Sequence, residues 1–258
     1  MSIFLRDTMI HTKRNLLLLL RNPAIVLPNM IISLFFLFVY QGGLSGIANL
    51  PQFNGASYLA FILPVSVVSA AIGGAGGAGQ ALVRDLENGY FARLLLTPSS
   101  RLAIVLGPMI AGMLQLIIQT FLILCVGFGL GLEIKAGFSG FLVVMGLAAG
   151  FGLGFAGYSV GVALRAKNAQ AAQAGTFVFF PLIFLSSTFV PKELIQADWL
   201  KFVANINPTT YIFEGMRAVM INGWETGPVF QGFLAISGLC VLTISFAVMS
   251  ARKAVSRD

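Results

Sequence analysis

Few residues in this chain are equipped for chemistry, and their spacing excludes more than it proposes. His11 is the only histidine among 258 residues, so neither a histidine-dependent nucleophilic triad nor a multi-histidine metal site is available. The run Gly74-Ala75-Gly76-Gly77-Ala78-Gly79 matches the G-x-G-x-x-G pattern that cradles dinucleotide phosphates. That pattern requires a strand before it and an acidic residue about 20 positions later. Here it lies inside an apolar run, where small residues serve close helix approach. Gly146, Gly150, Gly152, Gly154, Gly157 and Gly161 read the same way. The phosphate-loop pattern G-x-x-x-x-G-K-[ST] is missing, so the sequence predicts no ATP hydrolysis by that machinery and no cofactor in this chain. Cys125 and Cys240 fall within apolar runs and read as small buried residues.

Three polar features remain. Gln115 and Gln119 are spaced i, i+4 on one helix face. They serve either as interhelical hydrogen-bond partners or as part of a translocation path. Gln170 and Gln173 form a similar pair. The stretch from Arg84 to Arg101 mixes both charge signs with Tyr90, Phe91 and Leu94 and ends near Pro98. A solvated loop has no need of so many apolar residues, whereas a short helix lying against a partner protein does.

The elements that must position these residues follow from composition. Hydrophobic residues make up 57% of the chain, charged residues only 10%, and the mean hydropathy is +0.90. Soluble domains carry about 25% charged residues. About 20 apolar residues span a bilayer as a helix, and backbone groups in lipid must bond internally. Six apolar runs meet this need, at 23–43, 56–83, 101–131, 137–164, 170–190 and 228–250. The expectation is an all-α integral membrane protein with a single transmembrane domain over 1–258.

Orientation comes from the cations. One face receives Arg6, Lys13, Arg14, Arg21, Arg84, Arg93, Arg101, Arg165, Lys167, Arg252, Lys253 and Arg257. The other receives Lys135, Lys192, Lys201 and Arg217, so twelve of 16 basic residues share a side. The positive-inside rule then places both termini in the cytoplasm of a cell inner (plasma) membrane. The net charge of +7 is a topology signal, and no soluble fold with a basic face is present to bind nucleic acid. No carboxylate or histidine is visible within the runs, which argues against a proton-coupled secondary carrier.

Residues 1–22 are expected to form an interfacial helix with Ile3, Met9, Ile10, Leu17 and Leu20 along one apolar side, interrupted by the polar stretch from His11 to Asn15. Asn22-Pro23 ends it. The longest connection, 191–227, is expected to hold two short outer helices. Ile195, Trp199, Phe202 and Val203 form one apolar stripe, Asn207-Pro208 restarts a helix, and Gly223 stops it.

The chain resembles the ABC-2 family of ATP-binding-cassette export permeases. The resemblance rests on Glu87, Gly89, Leu94, Leu95, Thr97, Pro98, Ser100 and Arg101, on Arg21-Asn22-Pro23, and on Phe189, Pro191, Trp199, Asn207-Pro208-Thr209-Thr210-Tyr211, Glu214 and Arg217. It implies a coupling helix in the 84–100 loop, with Arg84, Glu87, Gly89, Tyr90, Phe91, Arg93, Leu94 and Pro98 meeting a separate nucleotide-binding subunit that holds ATP and Mg. It also implies a dimer with a second permease copy or a homologous permease, and an outer gate segment carrying Trp199, Asn207, Pro208, Tyr211 and Glu214. The drug-exporter branch with a lipophilic substrate fits the Thr97–Arg101 stretch and the Phe-rich spans. Polysaccharide or glycolipid export is the alternative within the family, and a proton-coupled secondary carrier and a non-transporting scaffold are the alternatives outside it.

Overall fold

The computed structural model describes residues 3–46, 57–97, 100–177, 179–188, 192 and 195–255. Its described residues form helices and turns without strands, as an all-α integral membrane protein requires. The order is α1 (Ile3–Leu20), α2 (Pro23–Leu44), α3 (Tyr58–Gly73), α4 (Gly77–Glu87), α5 (Tyr90–Leu95), α6 (Arg101–Gly129) and α7 (Gly137–Ala166). There follow α8 (Ala169–Phe177), α9 (Phe179–Phe184), α10 (Asp198–Ile206), α11 (Pro208–Arg217) and α12 (Thr226–Val255).

Among the described residues, five helical stretches are long and apolar enough to cross a membrane: Val26–Leu44, Tyr58–Glu87, Leu102–Gly129, Gly137–Ala166 and Thr226–Arg252. The expected count of six is therefore not exact among the described residues. The fifth run, 170–190, is represented by the shorter α8 and α9. Its last helix ends at Phe184, where the Ser186 and Thr188 hydroxyls bond to the Ile183 carbonyl and the Asn207 side chain takes the Leu182 and Leu185 carbonyls. Side-chain donors thus replace the next helical turn.

Among the spans, α3 is central, with all residues from Tyr58 to Val68 buried. The second span is one apolar run in sequence but two helices in space. At the glycines the Gly76 N–H bonds to Ala71 and the Gly77 N–H to Gly74, so a wide turn is followed at once by a tight one. Ser159 of α7 braces this break: its hydroxyl donates to the Gly76 carbonyl at 2.6 Å and accepts from the Gly79 N–H at 3.2 Å. A Cβ on Gly79 would lie 2.4 Å from the Ser159 carbonyl oxygen, which is backbone and cannot move aside. Gly79→Ala is accordingly expected to cost about 1–3 kcal/mol, read as a lower unfolding midpoint of the detergent-purified chain. An unchanged midpoint would mean that α4 and α7 do not meet this closely.

The fourth-run glycines pack as a stripe against α12. Gly150, Gly154, Gly157 and Gly161 face Ile236, Leu239, Thr243 and Phe246 in turn.

Helix α1 differs from its expected amphipathicity in a way the bilayer explains. Thr8, His11, Thr12, Asn15 and Leu19 are buried, while Leu5, Met9, Ile10, Leu17 and Leu18 are exposed. The face carrying Thr8, His11, Thr12 and Asn15 is the packed one, seated on α6 where Gly107 leaves room for His11. The apolar face points outward, the preferred arrangement where the surroundings are acyl chains.

Candidate coupling segment and outer arginine site

The 84–101 stretch folds at the end of the molecule where α1 and the first residues of α6 lie. Helix α4 ends at Glu87, Gly89 takes φ +66°, and α5 begins at Tyr90. That left-handed φ reverses the chain within two residues, and glycine adopts it without a Cβ penalty. The open space around Gly89 offers nothing for a side chain to clash with, so the backbone alone decides. Gly89→Ala is expected to cost about 1–2 kcal/mol and to move α5; wild-type stability of that variant would show that the turn relaxes freely.

The segment is tied to α1 by its charges. Arg14 makes a bidentate pair with Asp85, both contacts at 2.7 Å, and its guanidinium lies 3.9 Å from the centre of the Tyr90 ring. The Asp7 carboxylate accepts from the Ser100 N–H at the start of α6, so α1 holds both ends of the loop. Gln80 of α4 bonds to Gln173 beyond α7. Phe91 is buried in the main core, with Leu86 and Leu94 packed against that core. The outward residues are Arg84, Glu87, Asn88, Arg93, Thr97 and Leu96, which is 88% exposed. Of the residues assigned to partner contact, Arg84, Glu87 and Arg93 therefore face out, whereas Phe91 is internal and Tyr90 is covered by Arg14. Pro98 lies outside the described residues.

His11 sits beneath this network. Burial pushes its imidazole below the ordinary value of 6.5, with the Asp7 carboxylate opposing the shift. The unfolded chain then binds the extra proton more readily, so stability falls as pH drops below about 6.5. Unfolding midpoints of the wild type measured between neutral pH and pH 5 should show this acid limb, and His11→Asn should lack it. An identical pH dependence in both would remove His11 as its source.

At the opposite end lies a cation that the sequence assigned to the outer side. Arg217, at the C-terminus of α11, is 7% exposed. Its Nε donates to the Phe61 carbonyl at 2.9 Å, and its two terminal nitrogens donate to the Ser187 carbonyl at 2.5 Å and the Thr188 carbonyl at 2.8 Å. Its plane stacks on Phe61 at 3.5 Å. One guanidinium thus joins α3, the end of the fifth run and α11, as only a planar fork of donors can. It forms one wall of a cavity of about 280 Å3 that also presents Lys192, Glu214, Asn222 and Glu225. Lys192 pairs with Glu214 at 3.0 Å and lies over the Tyr211 ring.

The outer helices start as their sequence suggests. Asn207 accepts from the Thr209 N–H, and Pro208 occupies the first turn of α11. The stripe on α10 is another matter. Ile195 is buried, but Trp199, Phe202 and Ile206 are about two-thirds exposed, so Trp199 does not pack on the span ends as its place in the stripe implies. Phe189 and Pro191 lie outside the described residues.

Gln115 and Gln119 come together inside the protomer. They are 4% and 1% exposed, and their side-chain nitrogens and oxygens have no hydrogen-bond partner among the described residues. The Gln119 oxygen occupies the space a Cβ on Gly74 would need. This aims the pair at the break in the second span.

A multi-pass, all-helical membrane protein with a braced loop at its basic end and an arginine-locked segment at the other is the class these features define. The sequence profile of ABC-2 type transporters matches residues 6–221, and the chain belongs to that family. It is similar to the probable doxorubicin resistance ABC transporter permease protein DrrC of Mycobacterium tuberculosis, 24% identical over 93% of this chain and 86% of that one. It is also similar to the putative transport permease ycf38 of Cyanophora paradoxa (27% identical, 83% of this chain, 74% of that one) and of Pyropia yezoensis (26%, 90% and 81%). The chain is a membrane permease of the ABC-transporter class.

Proposed function

We propose that this chain is the transmembrane subunit of an ATP-driven exporter that moves a lipophilic substrate outward across the inner (plasma) membrane, with both termini in the cytoplasm. A separate nucleotide-binding subunit carries ATP and Mg, this chain having no ATPase site of its own, and two permeases, identical or homologous, form the membrane dimer. The observation that carries the reading is the construction of the 84–97 segment. Glu87, Arg93 and Leu96 project from a turn whose other side is fixed by Phe91 in the core and by the Arg14–Asp85–Tyr90 stack. A push on the projecting residues therefore reaches α1, α4 and α6 together. Glu87 and Arg93 contribute charge complementarity and register, and Leu96 contributes the desolvated contact.

The Gln115–Gln119 pair lines the translocation path only when α6 and the second span part. In the closed arrangement it sits against the break. The Asn207–Tyr211 run, with Glu214, gates the outer end, and Trp199 faces lipid. Similarity to a relative named for doxorubicin resistance supports the choice of lipophilic substrate. The test is co-reconstitution with the ATP-binding subunit in vesicles. Doxorubicin is expected to stimulate ATP hydrolysis and to be moved across the bilayer. Stimulation by a lipid-linked oligosaccharide alone would favour glycolipid export, and failure to bind any ATP-binding subunit would end the exporter reading.

A further inference from the structure

A second cavity, of about 240 Å3, lies between α1 and α4 at the elbow where α1 gives way to the first span. Arg14, Asn15, Leu18, Asn22, Arg84 and Asp85 are among its walls. Its charges do not cancel. Asp85 is spent on Arg14, whose two terminal nitrogens both contact it at 2.7 Å. Arg84, exposed on the last turn of α4, has no ion pair among the described residues. One positive charge is left over.

One residue of its walls also carries a buried acceptor. Asn15 is 3% exposed, and its Nδ2 donates to the His11 carbonyl at 2.9 Å, but its Oδ1 has no partner among the described residues. An orphaned buried oxygen costs free energy until a donor reaches it. The third wall is apolar: Leu18 is 51% exposed and adjoins the elbow leading to α2.

We propose that this cavity binds the phosphodiester headgroup of a phospholipid from the leaflet at the basic end, and that the headgroup carries a hydrogen-bond donor of its own. A phosphodiester brings one negative charge, matching the single unpaired arginine. The guanidinium of Arg84 takes its oxygens through charge-assisted hydrogen bonds. A headgroup hydroxyl, as in phosphatidylglycerol, donates to Asn15 Oδ1, and the acyl chains continue past Leu18 toward the first span. A free phosphate would satisfy Arg84 but leave the apolar wall without a role. The lipid would join α1 to α4 beside the Arg14–Asp85 pair.

The test uses the full chain purified in detergent without any ATP-binding subunit, so its outcome is separate from that of the exporter reading. Native mass spectrometry and titration with dihexanoyl phosphatidylglycerol should show one saturable site per chain, with dihexanoyl phosphatidylcholine, which lacks both the net charge and the donor, binding about tenfold more weakly. Arg84→Gln should weaken phosphatidylglycerol binding about tenfold, the loss expected for one charge-assisted contact. Asn15→Ala should erase much of the preference over phosphatidylcholine, and Lys13→Gln, an exposed cation outside the cavity, should change nothing. Equal weakening by Arg84→Gln and Lys13→Gln would overturn the site in favour of diffuse attraction to a basic surface. Displacement of the lipid by inorganic phosphate at similar concentration would overturn the lipid as the ligand.

Discussion

Replacing Arg217 with lysine is expected to damage the protein more than replacing it with methionine. The guanidinium satisfies three carbonyls from two distant parts of the chain while almost fully buried. Methionine leaves the Ser187 and Thr188 carbonyls without this donor, at about 1–3 kcal/mol each when no water reaches them. It also removes a charge whose desolvation costs several kcal/mol. The two effects oppose, and the net loss should be on the order of 3 kcal/mol. Lysine keeps the charge but loses the fork, so its ammonium cannot serve Phe61, Ser187 and Thr188 together. Desolvation then remains without full compensation. Unfolding midpoints and expression of the three proteins should fall in the order Arg, Met, Lys, and a lysine variant as stable as wild type would show that the fork geometry is not what holds this end together.

Phe91→Ala and Leu96→Asp should fail in different ways. Phe91 is 6% exposed and belongs to the main core, so its truncation should cost about 3–5 kcal/mol of the chain's own stability. The loss should be measurable before any partner is added. Leu96 is 88% exposed on the same segment. Its replacement should leave the unfolding midpoint unchanged yet weaken capture of an ATP-binding subunit by about 2 kcal/mol or more, roughly thirtyfold, if it is a central contact. Glu87→Lys should weaken docking as well, by putting the wrong charge at the contact. Wild-type docking and drug-stimulated hydrolysis in Leu96→Asp would remove this face from the coupling mechanism.

What could be read in advance depended on whether the signal was local. Run length alone identifies helices that must satisfy their backbones in lipid, so the all-α class and most spans were legible. The fifth run was not. Its apolar length continues to 190, but the Ser186 and Thr188 hydroxyls and the Asn207 amide take over its last carbonyls. Nor does periodicity tell which side of α1 is buried. It finds the apolar face, and the bilayer reverses the usual conclusion by accepting that face on the outside. Phe91 and Leu96 look equivalent in sequence, and only packing separates core from surface. Arg217 read as an outer cation because its partners are carbonyls, which every residue has and no sequence displays. Gly89 entered only through the family motif and the partner contact it implies, and its positive φ is a backbone fact.

The arginine lock also sets an order on biosynthesis. The Phe61 carbonyl leaves the ribosome 156 residues before the guanidinium that will bind it. Until then the turn at Ser187–Thr188 must wait without the donors that will tie it to α3. Nascent chains stopped just short of residue 217 should therefore remain sensitive to proteases at that end even though their apolar segments are already inserted. Extending them past Arg217 should close it, so that a late segment of the chain completes one inserted much earlier.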